Sequence, residues 1–110
     1  MDTSNTTTAF AALSQQTRLD IFRLLIKSGA DGKLSGEIGK ILNVKQNTMS
    51  ANLSILLNAN LVKNQRQGRA IRYYANFEAL RGLLSFLMED CCGGTPEICT
   101  PIIEAIACDC

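Results

Sequence analysis

The residues best equipped for chemistry lie at one end of the chain. Cys91, Cys92, Cys99, Cys108 and Cys110 all fall within the last twenty of 110 residues, and the sequence holds no histidine. Thiolates gathered in this way without imidazole suit a soft metal or metalloid, or thiol redox chemistry. An odd number of cysteines does not make a disulfide framework, and the paired CxxC spacings of a closed zinc site are missing. No nucleophile stands beside a visible base and no glycine-rich phosphate loop occurs, so the residues do not point to an enzyme.

A second constellation lies in the middle, in Asn43–Val62, NVKQNTMSANLSILLNANLV. Met49, Leu53, Leu56 and Leu57 recur at i, i+4, i+7 and i+8, which places them on one face of a helix. The opposite face, Gln46, Asn47, Thr48, Ser50, Ala51, Asn52 and Ser54, is short, polar and uncharged. A solvated face ordinarily carries charge, whereas amides, hydroxyls and a methyl match the edges of bases in a major groove. Just before it, Ser35–Leu42 (SGEIGKIL) is a shorter amphipathic segment with Ile38, Ile41 and Leu42 as its inner stripe and Ser35 as its cap. Two such helices across a tight turn at Asn43-Val44 make a helix-turn-helix whose second helix reads DNA.

Charge supports that placement. The total is only +1, but residues 33–75 carry seven Lys and Arg against Glu37 alone, while residues 76–110 carry Arg81 against six acids. Phosphate attraction depends on local basic surface rather than on the total. After the reading helix, Leu61–Arg66 and Ala70–Ala75 flank Gln67-Gly68-Arg69, and Gly68 supplies the positive φ of a tight hairpin. Arg66, Arg69 and Arg72 make that hairpin a basic finger, or wing, beside the helix-turn-helix.

The remaining elements supply the frame. Residues 1–7 are polar and expected to fray, Ala9–Leu13 forms a short helix, and Ser14 caps the next. Gln16–Lys27 is apolar over much of its circumference and is expected at the centre of the core. Gly29 and Gly32 stop it. Phe77–Met88 is a last long helix with Leu80, Leu83, Leu84 and Leu87 in one stripe. So small a domain has little core left for it, which points to a homodimer over two-fold operator DNA. The expected class is mainly α with a β-hairpin wing (α+β), a dimeric winged helix-turn-helix. Residues 1–90 would bind DNA and dimerise, and residues 91–110 would form a cysteine-rich sensing tail. With 46% hydrophobic and 19% charged residues the chain is globular. It has no run long enough for a membrane helix and no signal-peptide pattern at the start, so a cytoplasmic location is expected.

The order of elements, together with ALSQQTRLDIFRLL, QNTMSANLSILLNANLV and GRAIRYYA, resembles the ArsR–SmtB family of winged-helix metalloregulatory repressors over about residues 8–90. The resemblance implies a homodimer on double-stranded operator DNA that is released when a toxic metal or metalloid binds. It places Lys45, Gln46, Asn47, Thr48, Ser50, Ala51 and Asn52 at the major groove, and Arg66, Arg69 and Arg72 at the wing, with Arg69 nearest the minor groove or backbone. Two sensors of the family have no counterpart here. Leu34–Leu42 lacks the Cys-Val-Cys motif of the first helix of the helix-turn-helix, and no histidine is available for a zinc site on the last helix.

The tail, CCGGTPEIC from Cys91 to Cys99, resembles a segment of some arsenite-responsive members. Trivalent arsenic, As(III), takes three thiolates in a pyramid. In an unbroken helix adjacent side chains diverge by roughly 100°, so Cys91 and Cys92 could not easily share one ion. Gly93-Gly94 let the chain leave the helix and Pro96 starts a new turn that returns Cys99. Cys91, Cys92 and Cys99 are therefore the expected ligands, with Cys108 and Cys110 accessory. Sb(III) and methylated As(III) are further candidate inducers. In the expected mechanism Cys91 and Cys92 extend the dimerising helix until metalloid bends it. Two alternatives stand: a redox-sensing repressor of the same fold, and a thiol-rich metal-trafficking protein without DNA function.

Overall fold

The structure is a computed structural model that describes residues 2–89 and 91–107, excepting the side chains of Cys91 and Cys92. Cys108 and Cys110, expected as accessory ligands, lie outside the described residues. The elements run α1 (Thr3–Leu13), α2 (Gln16–Ser28), β1 (Lys33–Leu34), α3 (Ser35–Leu42), α4 (Gln46–Asn58), β2 (Val62–Gln67), β3 (Ala70–Ala75), α5 (Phe77–Leu87) and α6 (Pro96–Ile106). Short 3-10 turns occupy Gly29–Asp31 and Cys91–Gly94.

The first helix begins earlier than its composition suggests. Asp2 caps it, its carboxylate accepting from the Asn5 N–H at 2.8 Å, so the threonine-rich start is helical rather than frayed. Ser14 closes α1 instead of opening α2, its hydroxyl donating to the Ala11 carbonyl at 2.7 Å. Gln15 takes the N-cap of α2, accepting from the Arg18 N–H at 2.9 Å. Within α2, Ile21, Phe22 and Leu25 are buried as expected, whereas Leu19 is 40% exposed.

The core gathers Ile21 and Leu25 with Ile38 of α3, Met49, Leu53 and Leu56 of α4, and Leu61, each at most 1% exposed. Ile41 is the exception on α3; it stands 55% exposed, and Gly39 takes the buried position beside Ile38. Position 39 has to be small because a Cβ there would stand 3.0 Å from the Val44 carbonyl oxygen. That close approach is the tight turn between the helices: Asn43 adopts a left-handed φ of 56°, and the Val44 N–H donates to the Gly39 carbonyl at 2.9 Å. Ser35 does not cap α3. Leu34 is the N-cap residue, and the Glu37 carboxylate accepts from its N–H at 2.8 Å.

The wing is a three-stranded antiparallel sheet in the order β1-β3-β2. The hairpin matches expectation, Gln67 pairing with Ala70 across Gly68-Arg69, with Gly68 at φ +64° in the manner of a type II′ turn. The third strand is an addition: Lys33 and Leu34 pair with Tyr73 and Arg72. Its approach depends on Gly32 at φ +62°, where a Cβ would run into the Tyr73 carbonyl and the Tyr74 ring.

Past the wing, Asn76 caps α5, and α5 ends at Leu87 with Met88 as its C-cap. The helix therefore does not continue through Cys91 and Cys92. Gly93 and Gly94, at φ +55° and +85°, hold a 3-10 turn there, and Pro96 opens a sixth helix that the residue pattern had suggested only as a turn.

Candidate nucleic-acid interface and cysteine tail

On α4 the buried stripe of Met49, Leu53 and Leu56 turns Gln46, Asn47, Thr48, Ser50, Ala51 and Ser54 outward, all exposed. Lys45 is the exposed N-cap residue of α4, and Lys40 stands exposed near the end of α3, so two cations flank the turn that leads into the helix. Two of the amides are held locally: the Asn47 carbonyl oxygen accepts from the Thr48 N–H at 2.9 Å, and Gln46 Nε2 donates to Ser35 Oγ at 3.4 Å. Short uncharged side chains on a helix with cations at its entrance can meet base edges while phosphates are held at the rim.

Asn52 does not belong to that face. It is 7% exposed, its amide donates to the Thr48 carbonyl at 3.1 Å, and its carbonyl oxygen accepts from Arg18 Nη1 at 3.1 Å. Arg18 Nε in turn donates to the Ala12 carbonyl at 2.7 Å. A single guanidinium thus ties the end of α1 and the start of α2 to the middle of α4. Sequence reasoning missed this because Arg18 and Asn52 lie 34 residues apart, and an amide looks the same whether it meets a base or a buried arginine.

The three wing arginines do not form one cluster. Residues directly opposite in an antiparallel pair share a face of the sheet. Arg66 pairs with Ile71, on the face of buried Tyr73 and Ala75, while Arg72 pairs with Gln65 on the other face. Arg66 and Arg69 are exposed. Arg72 is engaged within the chain: Nε donates to Gln67 Oε1 at 3.0 Å, Nη1 donates to the Asp31 carbonyl at 3.1 Å, and Glu37 lies 4.0 Å away. Arg72 braces the wing against the start of α3, so of the three arginines Arg66 and Arg69 are the exposed ones, as is Lys63 on β2.

In the tail, Cys99 on α6 is 9% exposed and is disulfide-bonded. The side chains of Cys91 and Cys92 lie outside the description, while their backbone forms the turn just before α6. Among the described residues no group of three or more Cys, His, Asp or Glu is placed to hold a metal ion. Nor is any described helix long and apolar enough to cross a membrane.

Comparison with known proteins agrees with this geometry. Residues 13–65 match the family model described as a helix-turn-helix domain. Over 83 residues the chain is 37% identical to the arsenical resistance operon repressor of Bacillus subtilis (strain 168), covering 76% of this chain and 75% of that protein. An ArsR-like transcriptional regulator from Rhodococcus sp. RHA1 shares the fold at TM-score 0.68 and 24% identity, over 94% of this chain and 93% of that one. A homodimeric winged helix-turn-helix DNA-binding domain from Mycobacterium bovis aligns at TM-score 0.63 and 24% identity, over 79% and 81% of the two chains. The chain belongs to the ArsR family of winged helix-turn-helix transcriptional repressors, which are DNA-binding regulators and not enzymes.

Proposed function

We propose that this protein is an arsenic-responsive repressor: a homodimer, held through residues 1–90, that sits on operator DNA and leaves it when As(III) binds thiolates in residues 91–110. The observation that carries the reading is the position of Cys99, buried on α6 just beyond the Cys91–Gly94 turn. The 37% identity to an arsenical resistance operon repressor supports the same inducer. An all-sulfur donor set without imidazole fits a soft trivalent centre better than it fits zinc or a hard cation.

In the reduced tail Cys91, Cys92 and Cys99 are the proposed ligands. Arsenous acid exchanges its three hydroxyls for three thiolates, the three thiol protons leaving with them as three waters. The metalloid then pins the turned tail, so it favours whichever dimer geometry that tail permits. Lowering operator occupancy a hundredfold needs a coupling of only ~2.7 kcal/mol. Base contacts come from Gln46, Asn47, Thr48, Ser50 and Ala51, and phosphate contacts from Lys45, Arg66 and Arg69.

The disulfide at Cys99 favours one second reading, a repressor of the same fold that responds to oxidant. Two thiols would lose two electrons and two protons to a peroxide, which leaves as two waters. Thiol counting tests the first reading. Reduced protein given one equivalent of arsenite should lose three alkylatable thiols, and Cys99→Ser should lose that protection. Full alkylation in the presence of arsenite would sink the proposal.

A further inference from the structure

The reading helix hands the chain to the wing through one tight turn. α4 closes at its C-cap Ala59 in a Schellman motif: the Asn60 N–H donates to the Leu57 carbonyl at 2.9 Å and the Leu61 N–H to the Leu56 carbonyl at 3.0 Å. Asn60 takes the left-handed φ of 62° that the motif needs. β2 starts at Val62, so this turn sets the direction in which the wing leaves α4. The other foot of the wing is Ala75, paired with Val62, and Asn76 follows it.

Asn76 holds both feet. It is 5% exposed, and each end of its side chain has its own partner. Oδ1 accepts from the Ala79 N–H at 3.3 Å and so caps α5, while Nδ2 donates to the Asn60 carbonyl at 2.9 Å. The backbone N–H of Asn76 donates to the Leu61 carbonyl at 2.8 Å, one step beyond the Val62–Ala75 pair. Serine, threonine or aspartate would cap α5 as asparagine does, but none of them has an amide N–H to give. The amide at this position is therefore accounted for by the bond to Asn60 and not by the cap.

We propose that Asn76 is a positioning residue for DNA binding: through the Asn60 carbonyl it fixes the angle between the reading helix and the wing, so that both meet one stretch of duplex. The inference rests on the phosphate contacts that the functional reading gives the wing. β2 carries exposed Lys63 and Arg66, leads to Arg69, and lies at the sheet edge with β3 as its neighbour. β3 is also held on its far side by β1, a backbone ladder that does not depend on the Arg72 side chain. The foot of β2 has the bond from Asn76 instead. Contacts carried on one rigid body engage together, whereas a finger free to swing loses freedom each time its cations settle on phosphates.

The test is the salt dependence of DNA binding by the full reduced chain, on DNA from upstream of its own gene, for Asn76→Ser and Asn76→Thr. Both residues cap a helix, so α5 should remain, which circular dichroism and thermal melts check; neither hydroxyl is an amide long enough to cap α5 and also reach Asn60. Neither substitution removes a charge, so a lost salt slope reports cations that no longer sit on phosphates, which a loss of stability alone would not produce. The slope of log K against log salt should fall by about 1, with Kd about tenfold higher near physiological salt. A slope equal to that of the parent in both variants would overturn the inference. Arg69→Ala, measured alongside, separates it from the functional reading. A lowered slope in Arg69→Ala with an unchanged one in the Asn76 variants keeps the wing on the phosphates and removes the joint. An unchanged slope in Arg69→Ala with a lowered one in the Asn76 variants keeps the joint and takes Arg69 out of the phosphate contacts, leaving them to Lys63 and Arg66.

Discussion

Single side chains divide here into those that reach outward and those that hold the frame. Arg69 at the wing tip and Arg72 two strand positions in from the turn have the same chemistry, but only Arg69 is free of partners within the wing. Arg69→Ala should weaken binding to any DNA sequence and lower the slope of log K against log salt by about 1. Arg72→Ala should leave that slope nearly unchanged and cost about 1 kcal/mol of stability, because it removes hydrogen bonds to Gln67 and Asp31. Anisotropy at several salt concentrations, paired with thermal melts, distinguishes them. An equal loss of slope in both variants would contradict the assignment. The sequence showed three arginines near one turn. Their separation onto opposite faces needed the register, in which Arg72 meets Gln65 and Arg66 meets Ile71.

Among the elements, the helix-turn-helix was the most legible part of the chain. Its evidence is local: the period of Met49, Leu53 and Leu56, the break at Asn43-Val44, and the polar, uncharged face opposite the apolar stripe. What the pattern could not reveal was set by distant partners. The strand β1 is two residues long and exists only because β3 pairs with it. The amide of Asn52 fits the period of a reading face, yet Arg18 takes it inward. Asn52→Ala should therefore act as a stability variant, costing about 1–2 kcal/mol by leaving a partly buried guanidinium short of an acceptor. For a domain of this size that lowers Tm by several degrees, about 4–8 °C per kcal/mol. Base preference and salt slope should not change. A variant as stable as the parent but with altered base preference would return Asn52 to the DNA face.

At the scale of the molecule, the α1–α5 body carries the winged helix-turn-helix, and the proposed function makes the tail its input. The body was visible in the sequence because its helices and hairpin carry strong periods. The tail was visible only as chemistry: five cysteines, two glycines and a proline told what could bind, but not that α5 stops at Leu87 or that α6 presents four exposed isoleucines.

The most direct test of metalloid control is fluorescence anisotropy of the fully reduced chain on DNA from upstream of its own gene, titrated with arsenite and, in parallel, with zinc. The account predicts tight, salt-sensitive binding that arsenite reverses and zinc does not, with Cys99→Ser binding DNA equally well and no longer released. Binding that survives arsenite in the reduced protein, and yields only to oxidant, would contradict it.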